Sequence, residues 1–149
     1  MPVTDDQVAA LRALLKGEGE KHRELLDQLD RSQANVGYSA LLAAGFFEAV
    51  ERRFIVDNHV TNPDRVIDFV ASIRERTDET PDAVRPDIAE RMIFHALDQG
   101  ASISDIATDT VIQHQIILLA ALIGDAKLND LELDGFLRKI RTDADELID

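Results

Sequence analysis

The sequence predicts an all-α fold, and three observations predict it. Apolar residues recur at helical spacing through most of the chain, as in Leu41, Leu42, Phe46, Ala49, Val50 and Phe54. Helix-start signals precede such runs: Thr4 before Asp5 and Asp6, Asn62 before Pro63, and Asn129 ahead of Glu132. No strand pattern competes, because β-branched runs are short and the apolar period stays helical. The expected architecture is a single-domain bundle, residues 1–149, of about six or seven helices.

Thr4 caps a first helix whose face carries Val8, Leu11 and Leu15. Gly17 and Gly19 break the pattern before Leu25, Leu26 and Leu29 resume it, since each glycine costs about 1 kcal/mol inside a helix. Two short helices, or one with a weak joint, are expected here, ending near Ser32 to Asn35. Residues 1–35 are the segment expected to swing or to mediate self-association. A long helix over residues 38–54 follows, with Gly45 placed to allow close approach of a neighbour.

A loop at 56–61 leads to Asn62-Pro63, which restarts a helix burying Val66, Ile67, Phe69, Val70 and Ile73. Residues 77–86, with two prolines and several acids, form the main irregular connection. The next helix spans about 87–97 and buries Ile88, Met92, Ile93 and Leu97. Gly100 ends it, and Ser102 or Ser104 caps a short turn. The helix from Thr110 to Ile123 is apolar on every side at its centre, which predicts the middle of the core. The last helix, opened by Asn129 and Glu132, runs through Arg141.

Composition narrows the function. The formal net charge of −13, with 29 acidic against 16 basic side chains, disfavours nucleic acid, whose phosphates need clustered Lys and Arg. An anionic membrane surface is disfavoured for the same reason. The longest apolar run, 116–123, is far shorter than the roughly 20 residues of a spanning helix. With no Cys there is no disulfide or thiolate chemistry, and the polar, acidic start does not read as a signal peptide. A soluble, cytoplasmic protein is expected.

Two stretches share one plan, at about 38–74 and 106–141: apolar helix, acidic loop, amphipathic helix. Asp57-Asn58-His59-Val60-Thr61-Asn62-Pro63-Asp64 lies over Asp125-Ala126-Lys127-Leu128-Asn129-Asp130-Leu131-Glu132. Beyond the loops, Asn62, Phe69, Val70 and Ile73 match Asn129, Phe136, Leu137 and Ile140, in a register that slips by one residue. The aliphatic Val60 or Leu128 is expected to plug each loop into the core, with a polar residue capping the next helix.

On these residues, over about 38–141, the chain resembles the TerB-like family, small all-helical domains associated with tellurite resistance. That family repeats an apolar helix, then Ala-Asp-Gly-x-aliphatic-(Ser/Asp)-x-x-Glu, then a helix. Its matching positions here are Asp57, Val60, Thr61 and Asp64, then Asp125, Leu128, Asn129 and Glu132. The loop glycine is replaced by Asn58 in one copy and Ala126 in the other, and Ala tolerates a left-handed backbone poorly. The resemblance implies a weak divalent-cation site for Ca²⁺ or Mg²⁺ on Asp57, Asp64, Asp125, Asp130, Glu132 and Asp134.

Other chemistry finds little support. The second loop lacks the Asp spacing and glycine of an EF-hand. No His has a Glu three residues before it, which removes a di-iron bundle. Residues 96–115 have the cadence of a helix-turn-helix, yet no Lys or Arg occurs between Arg91 and Lys127 to meet DNA. No nucleophile elbow or phosphate-cradling loop is present, so a catalytic role is disfavoured. His114, between Gln113 and Gln115, is a candidate pocket residue that His95 would join if their helices are neighbours. The leading expectation is a non-enzymatic interaction or stress-response module, engaging a cation, a protein partner or a second copy in a homodimer. The alternative is a small-molecule-binding bundle with its pocket near His95 and His114.

Overall fold

The structure, a computed structural model, describes residues 3–29, 34–76 and 84–148. Among these the chain forms seven α-helices and one small ribbon, so the fold is all-α. The helices are α1 (Asp5–Leu15), α2 (Gly19–Gln28), α3 (Ser39–Phe54), α4 (Pro63–Arg76), α5 (Pro86–Ala96), α6 (Thr108–Ala126) and α7 (Asp130–Ile148). A π-helical turn, Ala34–Tyr38, leads into α3. Residues 77–83 of the connection expected at 77–86, and residues 30–33, lie outside the described residues.

Local signals act as their chemistry dictates. The Thr4 hydroxyl accepts from the Gln7 N–H while the Gln7 side chain accepts from the Thr4 N–H, closing a capping box on α1. Gly17, at φ 78°, turns the chain between α1 and α2. The Asn62 side chain accepts from the Asp64 N–H at 3.0 Å and starts α4. Asn129 and Glu132 bond each other's backbone N–H reciprocally, at 2.8 and 3.0 Å, and start α7.

The helix at the centre is α3, not α6. Leu41, Leu42, Phe46, Ala49, Val50 and Phe54 of α3 are all buried, and α3 packs against both α6 and α7. Its small residues explain this. A Cβ on Gly45 would stand 3.2 Å from both Leu119 and Ile140, so the backbone of α3 is approached from two helices at once. In α6 the buried stripe is His114, Leu118, Leu119, Leu122 and Ile123, whereas Ile112, Ile116 and Ile117 are only half-buried. An apolar circumference alone therefore overstates how enclosed that helix is.

The N-terminal helix is built into this core. Leu11 and Ala10 are fully buried, the Val3 N–H donates to Asp145 at 2.7 Å, and Arg141 donates to Asp5 at 2.6 Å and to the Val3 carbonyl at 2.8 Å. Those contacts tie α1, part of the 1–35 segment expected to swing or to mediate self-association, to the C-terminal half of α7. No described helix is long and apolar enough to cross a membrane.

The first loop differs from expectation. Ile55–Val56 pairs antiparallel with His59–Val60, with Ile55 opposite Val60. Asp57 (φ 52°) and Asn58 (φ 66°) are both left-handed, the signature of a type I′ turn, in which Asn and Asp are favoured. Val60 is 37% exposed, so it does not plug this loop into the core. Leu128, half-buried against the core, does so in the second loop.

Candidate functional site

The second loop is assembled from the ends of three helices. Helix α6 closes at Lys127, whose left-handed backbone (φ 51°, ψ 48°) carries the chain toward Leu128. Ala126, the position aligned with the family's glycine, remains helical, so its lack of left-handed freedom is harmless. Opposite lies the last turn of α3, where Arg52 and Arg53 sit near the carbonyl end of the helix that cations favour.

The two arginines splay apart. Arg52 lies over the Phe136 ring of α7, 5.0 Å from its centroid, and its Nε donates to Glu48 at 2.8 Å. Arg53 lies over the Phe69 ring of α4 at 5.3 Å and donates to Asp125 at 3.4 Å. Phe69 and Phe136 are the aligned aromatic residues of the two repeats, each seven residues after its capping Asn. The two stretches share Asn-started helices and aligned aromatic residues, while both arginines come from α3 and the loops between have different shapes.

The carboxylates expected to gather around a cation are distributed otherwise. Asp125 faces Arg53, Asp130 lies 3.5 Å from Lys16 and 3.9 Å from Arg12, and Asp134 lies 3.1 Å from Arg12. Glu132 is turned back to the Asn129 N–H. Asp57 is exposed at the tip of the ribbon and Asp64 in the first turn of α4. Among the described residues no group of three or more His, Asp or Glu side chains is arranged to hold a metal ion.

The histidines also stand apart. Buried His114 accepts from the Arg85 N–H through Nε2 at 3.1 Å, so Nδ1 carries the proton and donates to the Thr110 carbonyl at 2.8 Å. It thereby supplies the start of α5 with the cap that the Arg85 side chain does not give. His95 is exposed at the other end of α5, beside the Ala101 carbonyl at 3.0 Å. About three turns of helix separate His95 from Arg85, the residue to which His114 bonds. A different histidine is paired: His22 of α2 shares a buried 2.9 Å hydrogen bond with Tyr38. Burial, with Arg23 adding to it, lowers the His22 pKa, and burial pushes Tyr38 up to about 12.

The cavity nearest the second loop is apolar. Ala49, Leu122, Ile123, Ala126 and Leu128 line a space of about 250 Å³, and Arg52 and Arg53 complete its wall. A second cavity of about 270 Å³ shares Ile123 and Leu128 with it and is lined by Lys16 and Lys127. Four cations line this junction, and three of them are paired with carboxylates: Arg52 with Glu48, Arg53 with Asp125 and Lys16 with Asp130. The sequence showed the acids of this loop, but nothing in it brought α3 alongside. Adjacent arginines at the end of an apolar helix were the available signal.

Compared with protein-family models, with curated proteins and with solved structures, the chain matches none of them.

Proposed function

We propose that the protein is a non-catalytic binding module of the cytoplasm, and that its binding element is the apolar cavity between the ends of α3 and α6. The carrying observation is the lining itself. Five apolar side chains and two arginines form the wall, with no Ser, His, Lys or carboxylate among them to act as nucleophile or general base. Ligand sites combine an apolar wall with a few polar groups in this way. At about 250 Å³, just under the roughly 300–1,000 Å³ of drug-sized pockets, the cavity suits a small apolar group.

The TerB-like resemblance enters as an architectural reading. It is supported by two Asn-capped helix starts, by Phe69 and Phe136 at matching positions, and by an arginine over each ring. The acidic-loop cation site of that family is not carried over, because Arg53, Arg12 and Lys16 stand where the cation would be needed.

Methyl-resolved NMR during titration with hexanol tests the reading. Shifts concentrated on Ala49, Leu122, Ile123, Ala126 and Leu128 are expected. Shifts spread evenly over the surface, or none, contradict it.

A further inference from the structure

We infer that the ligand of this cavity is a small amphiphilic carboxylate, a short apolar chain or ring with one anionic end held by one of the two guanidinium groups at its wall, Arg52 or Arg53. The inference rests on the cavity being the binding element and adds the chemical class of what it takes.

Both guanidinium groups are held in place yet keep donors to offer. Cation–π contacts with Phe136 and with Phe69 restrain them. Arg52 uses Nε toward Glu48 and Arg53 uses Nη1 toward Asp125; among the described residues their other guanidinium nitrogens make no hydrogen bond. Their side chains are 46% and 43% exposed, so an incoming group reaches them from solvent. A carboxylate matches such donors in geometry and charge. With a net charge of −13 the molecule as a whole repels anions, so one bound here is held by local contacts. In the adjoining cavity Lys16 is paired with Asp130, and Lys127 adds a further positive charge.

The Arg53–Asp125 contact, at 3.4 Å, is long for a charge-assisted bond. A ligand carboxylate on the free edge of Arg53 competes with Asp125, and so reads out on the end of α6 as well as on α3.

Calorimetric titration of the full chain with hexanoate and with hexanol, on wild type, Arg52→Gln and Arg53→Gln, provides the test. Hexanoate is expected to bind about tenfold more tightly than hexanol, an advantage that shrinks with added salt and falls in the variant that removes the holding arginine, while hexanol affinity stays constant in both. Two variants are used because each also removes an ion pair, Arg52 with Glu48 and Arg53 with Asp125; melting curves confirm that each is folded. Equal affinity for the two probes overturns the carboxylate class and leaves the cavity reading standing. A hexanoate preference unchanged in both variants also overturns it. Failure of both probes to bind overturns the cavity reading and this inference together.

Discussion

Arg53 reaches Asp125 across the second loop, its Nη1 3.4 Å from Oδ2, while its guanidinium covers the ring of Phe69 in the first hairpin. One side chain at the end of α3 thus touches both repeats. The pair is part-exposed, at 43% and 23%, so its net worth is modest. Arg53→Ala is expected to destabilise by about 1 kcal/mol or less, combining a screened ion pair with a cation–π contact. A melting temperature lowered by about 2–4 °C is the corresponding readout; a loss several times larger contradicts the placement of Arg53 at the surface.

Gly45 tests the position of α3. Its missing side chain leaves room for Leu119 and Ile140, which a Cβ would meet at 3.2 Å. Gly45→Val is expected to cost about 1–3 kcal/mol by overpacking, measured by urea denaturation. An unchanged midpoint would place α3 away from α6 and α7.

His114→Ala removes the acceptor of the Arg85 N–H and a donor to the Thr110 carbonyl. Leaving such groups unpaired, with a cavity besides, is expected to cost about 2–4 kcal/mol. Hydrogen exchange should show the loss first at the start of α5. Uniform exchange changes with no local effect there contradict the capping role.

Tyr38 is the single tyrosine of the chain and there is no tryptophan, so an ultraviolet titration reports on it alone. Its ionisation is expected near pH 12 in the folded protein, against about 10 when unfolded. The unfolded chain loses this proton first, so stability present below pH 10 declines as pH rises toward 12. An ionisation midpoint near 10 before unfolding shows Tyr38 to be exposed. His22 works from the other side. Its folded pKa lies below the ordinary 6.5, so the unfolded state binds the proton first and stability falls as pH drops below 6.5. Replacing His22 by Gln should reduce that acid sensitivity; an unaltered pH profile contradicts the burial of His22.

How much of this was legible in the sequence depended on the range of the forces involved. Thr4, Asn62 and Asn129 act on their own first turns, so each cap could be read directly from the residues. Gly45 was readable as a point of close approach, though not by which helices. The centrality of α3 was not, because Ile112, Ile116 and Ile117 make α6 the more apolar helix while packing leaves them half-buried. The site was inverted for a similar reason. Asp125, Asp130 and Asp134 are close in sequence and read as an acidic cluster. Their partners Arg53, Lys16 and Arg12 come from helices 70 to 120 residues away in the chain, roughly, and only the tertiary fold brings them together. His95 and His114 were grouped on the premise that their helices are neighbours; α5 and α6 do touch, but His114 bonds at the start of α5 while His95 lies at its end.

The central claim is that the carboxylates of the second hairpin are neutralised by the chain's own arginines and lysines, leaving an apolar cavity beside them as the site. A melting series with Ca²⁺, Mg²⁺ and Mn²⁺ at constant ionic strength, on wild type and Asp125→Ala, addresses it most directly. The account predicts no cation-specific stabilisation of either protein. A saturable rise in the melting temperature of the wild type that disappears in Asp125→Ala would contradict it.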